Sequence, residues 1–249
     1  MVKFYKKGFT LVEILVALAI VGVVAAITIP QLIVAINKST TGTALAKGVS
    51  QIETGCQSLI AKANSMSTDG VPFTSILDIK ESDIVNGGNP ATDVYDQLFT
   101  SYGSYFGTEV LANQNTYKGN VDSYAAGQSA VSLNNYQAAI IYVDSKSNIY
   151  YALSAVAGAP RSTDTQDEIV DHIYIDVNGK AKPNRFGKDI FLYGLTDRCR
   201  MFPAGSAMMN NQAHGGTGHA LASDACSDNI TDGLSCTARV VADGYKVKY

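Results

Sequence analysis

One carboxylate stands alone in a long apolar segment near the N-terminus. Residues 9–29 contain a single charged side chain, Glu13, and follow a short basic stretch with Lys3, Lys6 and Lys7. As a helix, this segment spans about 30 Å, the thickness of the hydrocarbon core of a bilayer. A carboxylate in such a segment is costly and normally has a partner. The sequence therefore predicts a membrane-spanning helix in which Glu13 has a specific function.

Two ordinary explanations of this segment are incomplete. A cleaved secretory signal is shorter, and no A-x-A cleavage site follows the apolar residues closely. A plain signal anchor accounts for the length, and for an orientation that keeps the lysines in the cytoplasm. It leaves Glu13 without a purpose, however, because an anchor does not need a carboxylate.

A second group of polar residues could bind a metal ion. The stretch DVNGKAKPNRFGKDIF, residues 176–191, spaces oxygen donors around glycines. Calcium prefers such oxygens from one compact loop, although no glutamate stands at the twelfth position as in an EF-hand. A hairpin turn at Asn178-Gly179, with Pro183 stiffening the loop, explains the same residues without a metal. The ligands predicted under the calcium hypothesis are Asp176, Asn178, Asn184 and Asp189.

Composition and motifs argue against several other functions. The chain has 249 residues and a formal net charge of −3, so no strongly basic face and no nucleic acid as primary ligand are expected. His214 and His219 lie in a glycine-rich stretch that a solvated loop explains better than a metal site. The sequence has no G-x-S-x-G motif and no persuasive catalytic base, so we expect no enzyme, and no cofactor apart from the calcium considered above.

The junction between the basic leader and the apolar segment has a distinctive sequence. The leader ends in Gly8, Phe9-Thr10-Leu11-Val12-Glu13 follows, and Gly22 and Pro30 lie further along. This pattern resembles the N-terminus of type IV prepilins and of the pseudopilins of type II secretion. The resemblance implies that a prepilin peptidase cleaves between Gly8 and Phe9 and that the new amine of Phe9 is methylated. It also implies polymerisation with like subunits into a helical filament, through an assembly platform in the inner membrane.

Cleavage at Gly8 would give Glu13 a partner. The new α-amine of Phe9 is positively charged, and the Glu13 carboxylate can meet it in the same subunit or in a neighbour. An unpaired charge in a low-dielectric setting costs several kcal/mol, so this pairing would set the register of the subunits more than it adds stability. Thr10 is the other predicted assembly residue. Loss of three leader lysines lowers the Lys+Arg count from 19 to 16 against 22 Asp+Glu, a formal side-chain charge of −6.

The resemblance implies an α+β fold, in which a long N-terminal helix, half of it protruding, packs on a C-terminal antiparallel sheet. The predicted organisation is a leader at 1–8, a transmembrane and assembly helix at 9–30, its amphipathic continuation at 31–68 and a globular domain at 71–249. Gly22 and Pro30 are the predicted kink positions, and Pro30 is expected to kink or locally melt the helix, because proline lacks an N–H and clashes with the preceding turn.

Apolar periodicity predicts which side of the continued helix is buried. Side chains recur at steps of three and four, as on one face of an amphipathic helix. Gly42, Gly48 and Gly55 predict bends, and NSMSTDG predicts an end near Gly70. The predicted buried residues are Leu45, Val49, Ile52, Cys56, Leu59 and Ala63.

Strand patterns dominate after residue 137. QAAIIYVD and NIYYALSAV flank the turn SKS and predict a hairpin, and DHIYIDV and KDIFLYGL predict a second pair. The final CTARVVADGYKVKY predicts either a short helix ended by Gly244 and then a strand, or a hairpin about Asp243-Gly244. NGGNPATD predicts a loop, and DQLFTSYGSYFGTEVL fits a short helix or a strand pair.

The four cysteines could form two disulfides in the exported protein. A bridge between Cys226 and Cys236 resembles the C-terminal disulfide-bounded loop of type IV pilins. Cys56 and Cys199 would then form a second bridge, although the other two connectivities stay open and Cys56 also fits a small buried apolar residue.

The predicted function is that of a structural subunit of a type IV pilus-like filament. The precursor would be a single-pass protein of the bacterial inner membrane with its C-terminus outside the cytoplasm, and the mature subunit would lie in a periplasmic or extracellular pilus or pseudopilus. A type II secretion pseudopilin and a DNA-uptake filament stay open as alternatives. A third alternative, a membrane-anchored extracytoplasmic ligand-binding protein, needs a convergent polar pocket, and none is evident in the sequence.

Overall fold

The structure, a computed structural model, describes residues 8–67, 70–74, 107–112, 114–121, 140–155, 169–206, 209 and 233–248. The chain divides into two compact units, Met1–Thr40 and Thr41–Tyr249. The predicted α+β class is confirmed. The described elements are α1 (Leu11–Met66), β1 (Glu109–Val110), α2 (Gln114–Lys118), β2 (Ile140–Asp144), β3 (Ile149–Ala155), β4 (Ile169–Asp176), β5 (Ile190–Thr196), β6 (Met201–Pro203) and α3 (Cys236–Ala242).

In the first unit, the described residues form the N-terminal part of α1. Its large apolar side chains, from Phe9 to Ile36, are exposed. The helix continues through Pro30 without interruption, so the local melting that we considered there is not observed. A kink at Gly22 or Pro30 stays a prediction, which rests on the hydrogen bond that proline removes from a helix.

In the second unit, α1 buries one face, as its periodicity predicts. The buried residues include all six predicted apolar positions, and this prediction is confirmed. The helix ends at Met66, four residues before the predicted end at Gly70. Gly42, Gly48 and Gly55 are buried on the same face. At Gly48, an added Cβ would lie 3.0 Å from Ile175 Cγ2, so this glycine lets the helix approach the sheet closely.

The sheet is a six-stranded antiparallel meander in the order β1-β2-β3-β4-β5-β6. Both predicted strand pairs are confirmed, since β2 pairs with β3 and β4 pairs with β5. The β2–β3 and β5–β6 connections are only four residues long, 145–148 and 197–200, and antiparallel neighbours can be joined by such tight turns.

Side chains on the strands alternate between two buried faces, as the period of two in a strand requires. On one face, Tyr151, Ile173 and Tyr193 pack with the apolar residues of α1. On the other face, Tyr150 and Tyr174 belong to a second apolar cluster. That cluster also contains Tyr117, Val121, Phe186, Ile190, Leu192 and Leu234. The sheet is therefore covered on both sides.

A disulfide and two side-chain hydrogen bonds fasten α1 to the sheet. Cys56 is bonded to Cys199, in the β5–β6 turn, with a Cα–Cα distance of 5.4 Å. The Met201 N–H donates to Glu53 Oε1 at 3.0 Å, and the Tyr151 hydroxyl donates to Gln51 Oε1 at 2.9 Å. These contacts fix the position of α1 on its side of the sheet.

The C-terminal residues follow the helical alternative. α3 is a helix, and Gly244 after it has a φ of 68°, a left-handed conformation that suits glycine at a helix end. The hairpin alternative is wrong, and residues 246–248 form no strand.

Cys236 is disulfide-bonded. Several predictions fall outside the described residues, namely those for Cys226, His214, His219, NGGNPATD and most of DQLFTSYGSYFGTEVL. The last of these segments contains one described strand, β1.

Candidate processing and assembly site

The helix α1 begins with a reciprocal capping arrangement. Glu13 Oε2 accepts hydrogen bonds from the Thr10 backbone N–H at 2.7 Å and from the Thr10 hydroxyl at 2.8 Å. In return, Thr10 Oγ1 accepts the Glu13 backbone N–H at 3.3 Å. This is a capping box, in which two backbone donors that lack partners inside the helix are satisfied by side chains. The carboxylate is thereby fixed at the first turn of α1.

The Thr10–Glu13 contact was missed as an interaction, although both residues were predicted to act in assembly. The sequence signal for it is the spacing of a threonine and a glutamate three residues apart, just before an apolar run. Negative charge at a helix N-terminus is also favourable, because the helix dipole is positive there. Glu13 therefore has a local structural role besides its predicted role in assembly.

The apolar segment that follows has no covering in its own unit. Among the described helices, α1 alone is long and apolar enough to cross a membrane, and its most apolar window is not buried. Phe9 is 82% exposed. A helix with exposed apolar side chains all round requires an apolar environment, such as lipid or the neighbouring helices of an assembly.

The second candidate site, the loop between β4 and β5, brings the four predicted oxygen donors into one hydrogen-bond network. Asp176 Oδ1 accepts the backbone N–H groups of Asn178 at 3.0 Å and Gly179 at 2.8 Å. Asp189 Oδ2 accepts the backbone N–H of Asn184 at 2.7 Å and Nδ2 of Asn178 at 3.2 Å. Gly179 has a φ of 62°, as the predicted turn at Asn178-Gly179 requires. The two carboxylates therefore hold the backbone of the loop.

Burial changes the acidity of both carboxyl groups in this loop. Asp176 is 1% exposed and Asp189 is 2% exposed. Burial, and secondarily the charge of Asp189, raises the pKa of Asp176 to about 8, while burial raises the pKa of Asp189. The Tyr117 hydroxyl lies in hydrogen-bond contact with Asp176 Oδ2. Asn178 Oδ1 is buried and has no hydrogen-bond partner among the described residues. A buried oxygen without a partner, beside two buried carboxyl groups, is a favourable place for a cation.

The N-terminal residues have a recognised sequence. Residues 3–29 match the family described as the prokaryotic N-terminal methylation motif. The chain carries this methylation motif. The match covers 27 of the 249 residues, that is, the leader and the apolar part of α1. No curated protein and no solved structure matches the chain.

The methylation motif is characteristic of type IV pilins and pseudopilins. The motif supports the interpretation of the chain as a pilin or pseudopilin, and it implies processing by a prepilin peptidase and assembly with like subunits. It also indicates a structural subunit. Together with the exposed apolar helix, the motif fits a membrane-anchored precursor. The capping box lies inside the matched residues, directly after the predicted cleavage position.

Proposed function

We propose that the chain is a structural subunit of a type IV pilus-like filament and not an enzyme. The observation that carries the proposal is the position of Glu13 in the methylation motif, at the start of a helix whose apolar side chains are exposed. Cleavage between Gly8 and Phe9 removes the basic leader and places a cationic amine four residues before this carboxylate. The apolar residues of α1 then supply the surface along which helices of neighbouring subunits pack.

The proposed role of Glu13 is to align subunits. In the precursor, its carboxylate accepts two hydrogen bonds from Thr10. In the assembled filament, surrounded by apolar helices, the amine of a Phe9 would be its counter-ion. Breaking a buried pair by removing one partner is strongly unfavourable, whereas the intact pair adds little net stability. The pairing therefore selects one axial stagger between subunits.

Two substitutions separate capping from charge pairing. Glu13→Gln keeps an oxygen that can accept the Thr10 N–H but cannot neutralise an amine, whereas Glu13→Ala removes both functions. We expect both variants to be exported, cleaved after Gly8 and present in the membrane at normal levels, and both to lose most of the sheared filaments. Lys38→Ala, which removes a charge elsewhere on α1, is the control and should assemble normally.

The measurements are N-terminal mass spectrometry of the membrane protein and quantification of sheared filaments by immunoblot. A wild-type N-terminus at Met1 would contradict the proposed processing. Normal filament length and abundance with Glu13→Ala would contradict the alignment role.

Among filaments, we favour a pilus over a type II secretion pseudopilus. A DNA-uptake filament is the third possibility. Immunogold labelling of intact cells tests the location. Labelled surface filaments support a pilus, and loss of protein secretion on deletion, without surface filaments, supports a pseudopilin.

Calcium binding by the β4–β5 loop is a second proposal, favoured by Asn178 Oδ1, which has no hydrogen-bond partner in the described part of the chain. Its ligands would be Asp176, Asn178, Asn184 and Asp189. Binding would require ionised carboxylates, and calcium would replace the proton that burial favours on Asp176. Thermal melts with calcium and with a chelator test this, with Asp189→Asn as the variant and Asp243→Asn as the control. A melting temperature of the wild-type chain that does not respond to calcium would end the proposal.

A further inference from the structure

A cavity of about 870 Å³ lies between α2 and the β4–β5 loop. Its described walls consist almost entirely of side chains that can donate hydrogen bonds. They are Thr116, Tyr117, Asn120, Lys180, Lys182, Pro183, Asn184 and Arg185. The size falls within the usual range of pockets for small ligands. A polar pocket was not evident from the sequence, because its walls come from segments more than fifty residues apart.

The three cations of this basic cavity have no partners within the described part of the chain. Lys180, Lys182 and Arg185 form no side-chain hydrogen bond or ion pair there. Lys180 and Lys182 are exposed, and Arg185 is half-buried. Their cluster contrasts with the formal charge of −6 on residues 9–249. A concave surface lined by one sign of charge attracts ligands of the opposite sign.

The nearby acidic groups do not cancel this charge. Neither Asp176 nor Asp189 lines the cavity, and both are buried and accept backbone N–H groups of the loop. The positive field of Lys180, Lys182 and Arg185 therefore faces the cavity largely unopposed.

The walls are also held in place before any ligand arrives. Asp189 Oδ1 accepts the Arg185 N–H at 2.6 Å, and Asp189 Oδ2 accepts the Asn184 N–H at 2.7 Å. On the opposite wall, Asn120 Nδ2 donates to the Thr116 carbonyl oxygen at 2.7 Å. Tyr117 is buried and joins the two walls through its contact with Asp176. A loop backbone that is ordered in advance lowers the entropic cost of binding.

We propose that this basic cavity binds a small ligand with at least two oxyanion groups, either phosphates or carboxylates. A guanidinium can hold an oxyanion with two parallel hydrogen bonds, and each lysine adds a point charge. The aromatic residue in the described lining, Tyr117, is buried, so it offers no exposed face for base stacking, which single-stranded nucleic acids require. A small polyanion therefore fits the cavity better than a nucleic acid does.

Calorimetric titration of the mature full-length chain in non-ionic detergent tests the proposal. Pyrophosphate is the phosphate probe and citrate is the carboxylate probe, and a calcium chelator is present so that the result is independent of the calcium proposal. The variant Lys180→Gln/Lys182→Gln/Arg185→Gln removes the cations of the cavity. The control Lys62→Gln/Lys146→Gln/Lys246→Gln removes the same charge from exposed positions outside this cavity.

We expect at least one probe to bind, with an affinity that falls at least about tenfold in the cavity variant and changes less than about twofold in the control. The probe that binds more tightly identifies the oxyanion. Thermal melts of both variants verify folding. No binding of either probe at millimolar concentration would overturn the proposal, and so would an equal loss of affinity in the two variants, since binding would then follow net charge alone.

Discussion

Removal of the Cys56–Cys199 disulfide should destabilise the second unit strongly. The bond joins α1 to the β5–β6 turn across a sequence separation of 143 residues. In the chain-entropy description, a crosslink of this span lowers the entropy of the unfolded state and so raises its free energy by about 5 kcal/mol, near the upper end of the range for disulfides. The proposed variant is Cys56→Ala/Cys199→Ala, because both positions are buried and alanine introduces no polar group.

The predicted bridge between Cys226 and Cys236 provides a matched control. Cys226 and Cys236 are ten residues apart, and closing a loop of that size is worth only about 3 kcal/mol in the same description. Because both double variants remove two cysteines, their difference isolates the effect of loop length. We therefore expect Cys56→Ala/Cys199→Ala to cost about 2 kcal/mol more than Cys226→Ala/Cys236→Ala.

Denaturant unfolding of the mature chain, followed by tyrosine fluorescence, measures both effects. The mature chain keeps 13 of the 14 tyrosines, since Tyr5 lies in the leader, and they serve as the probe because the chain has no tryptophan. Tyr142, Tyr151, Tyr174 and Tyr193 are buried in the sheet, so their fluorescence reports on its unfolding. Equal losses in the two double variants, or a larger loss with Cys226→Ala/Cys236→Ala, would refute the reasoning from loop length.

Two further predictions concern the packing and acidity of the same unit. Gly42→Ala should lower the free energy of unfolding by about 1–3 kcal/mol although alanine favours helix, because its Cβ would lie 1.7 Å from the Tyr245 carbonyl oxygen. Gly22→Ala, whose Cβ would meet nothing within 4 Å, is the control, and equal melting temperatures for the two variants would contradict the prediction. For Asp176, the pKa is about 8 in the folded chain against an ordinary 3.8, so the folded state binds the proton more tightly. Stability should therefore fall as pH rises from about 4 to about 8, by at most about 1.4 kcal/mol per pH unit for this group. Asp176→Asn should flatten the dependence of the melting temperature on pH between pH 4 and 8. The amide can still accept the Asn178 and Gly179 N–H groups, so the loop keeps its hydrogen bonds. The same dependence on pH in the variant and the wild-type chain would show that Asp176 does not titrate in this range.

The buried face of α1 and the strand pairs were predictable because they depend on local periodicity. Leu45, Val49, Ile52 and Leu59 recur at helical spacing, and burial against the sheet follows from that pattern alone. β2 and β3 are joined by a four-residue turn, so their pairing needs no long-range information. Both predictions depend on patterns among residues that are close together in the sequence, although the sheet that covers α1 comes from a distant part of the chain.

The roles of the glycines on α1 were less predictable. Gly42 and Gly48 suggested bends, because glycine weakens an isolated helix. In the structure they are buried where α1 meets the C-terminal residues and the sheet, at distances that leave no room for a side chain without displacement. A sequence does not show which backbone will approach from a distant segment, so helix propensity alone gave an incomplete interpretation.

The β4–β5 loop shows how one set of residues can satisfy two hypotheses. Oxygen donors around glycines predicted either a calcium site or a turn. In the structure the carboxylates hold the turn, and Asn178 Oδ1 has no partner among the residues that the structure describes. The nearby basic cavity was not predictable, since Lys180 and Arg185 face residues of α2 that lie far away in the sequence. The hydrogen-bonded arrangement of the loop and the basic cavity both arise from tertiary packing, which residue types alone do not reveal.

The capping box also clarifies why Glu13 should govern register and not overall stability. Before cleavage, the carboxylate already accepts two hydrogen bonds from Thr10, so it is not an unsatisfied group waiting for a partner. Both bonds go to Oε2, so in the proposed assembly the new amine can approach Oε1 while the capping arrangement stays intact. A subunit displaced along the filament would keep the Thr10 hydrogen bonds but leave an amine and a carboxylate unpaired in an apolar environment. The cost of that mismatch, several kcal/mol per charge, is what would exclude the wrong stagger.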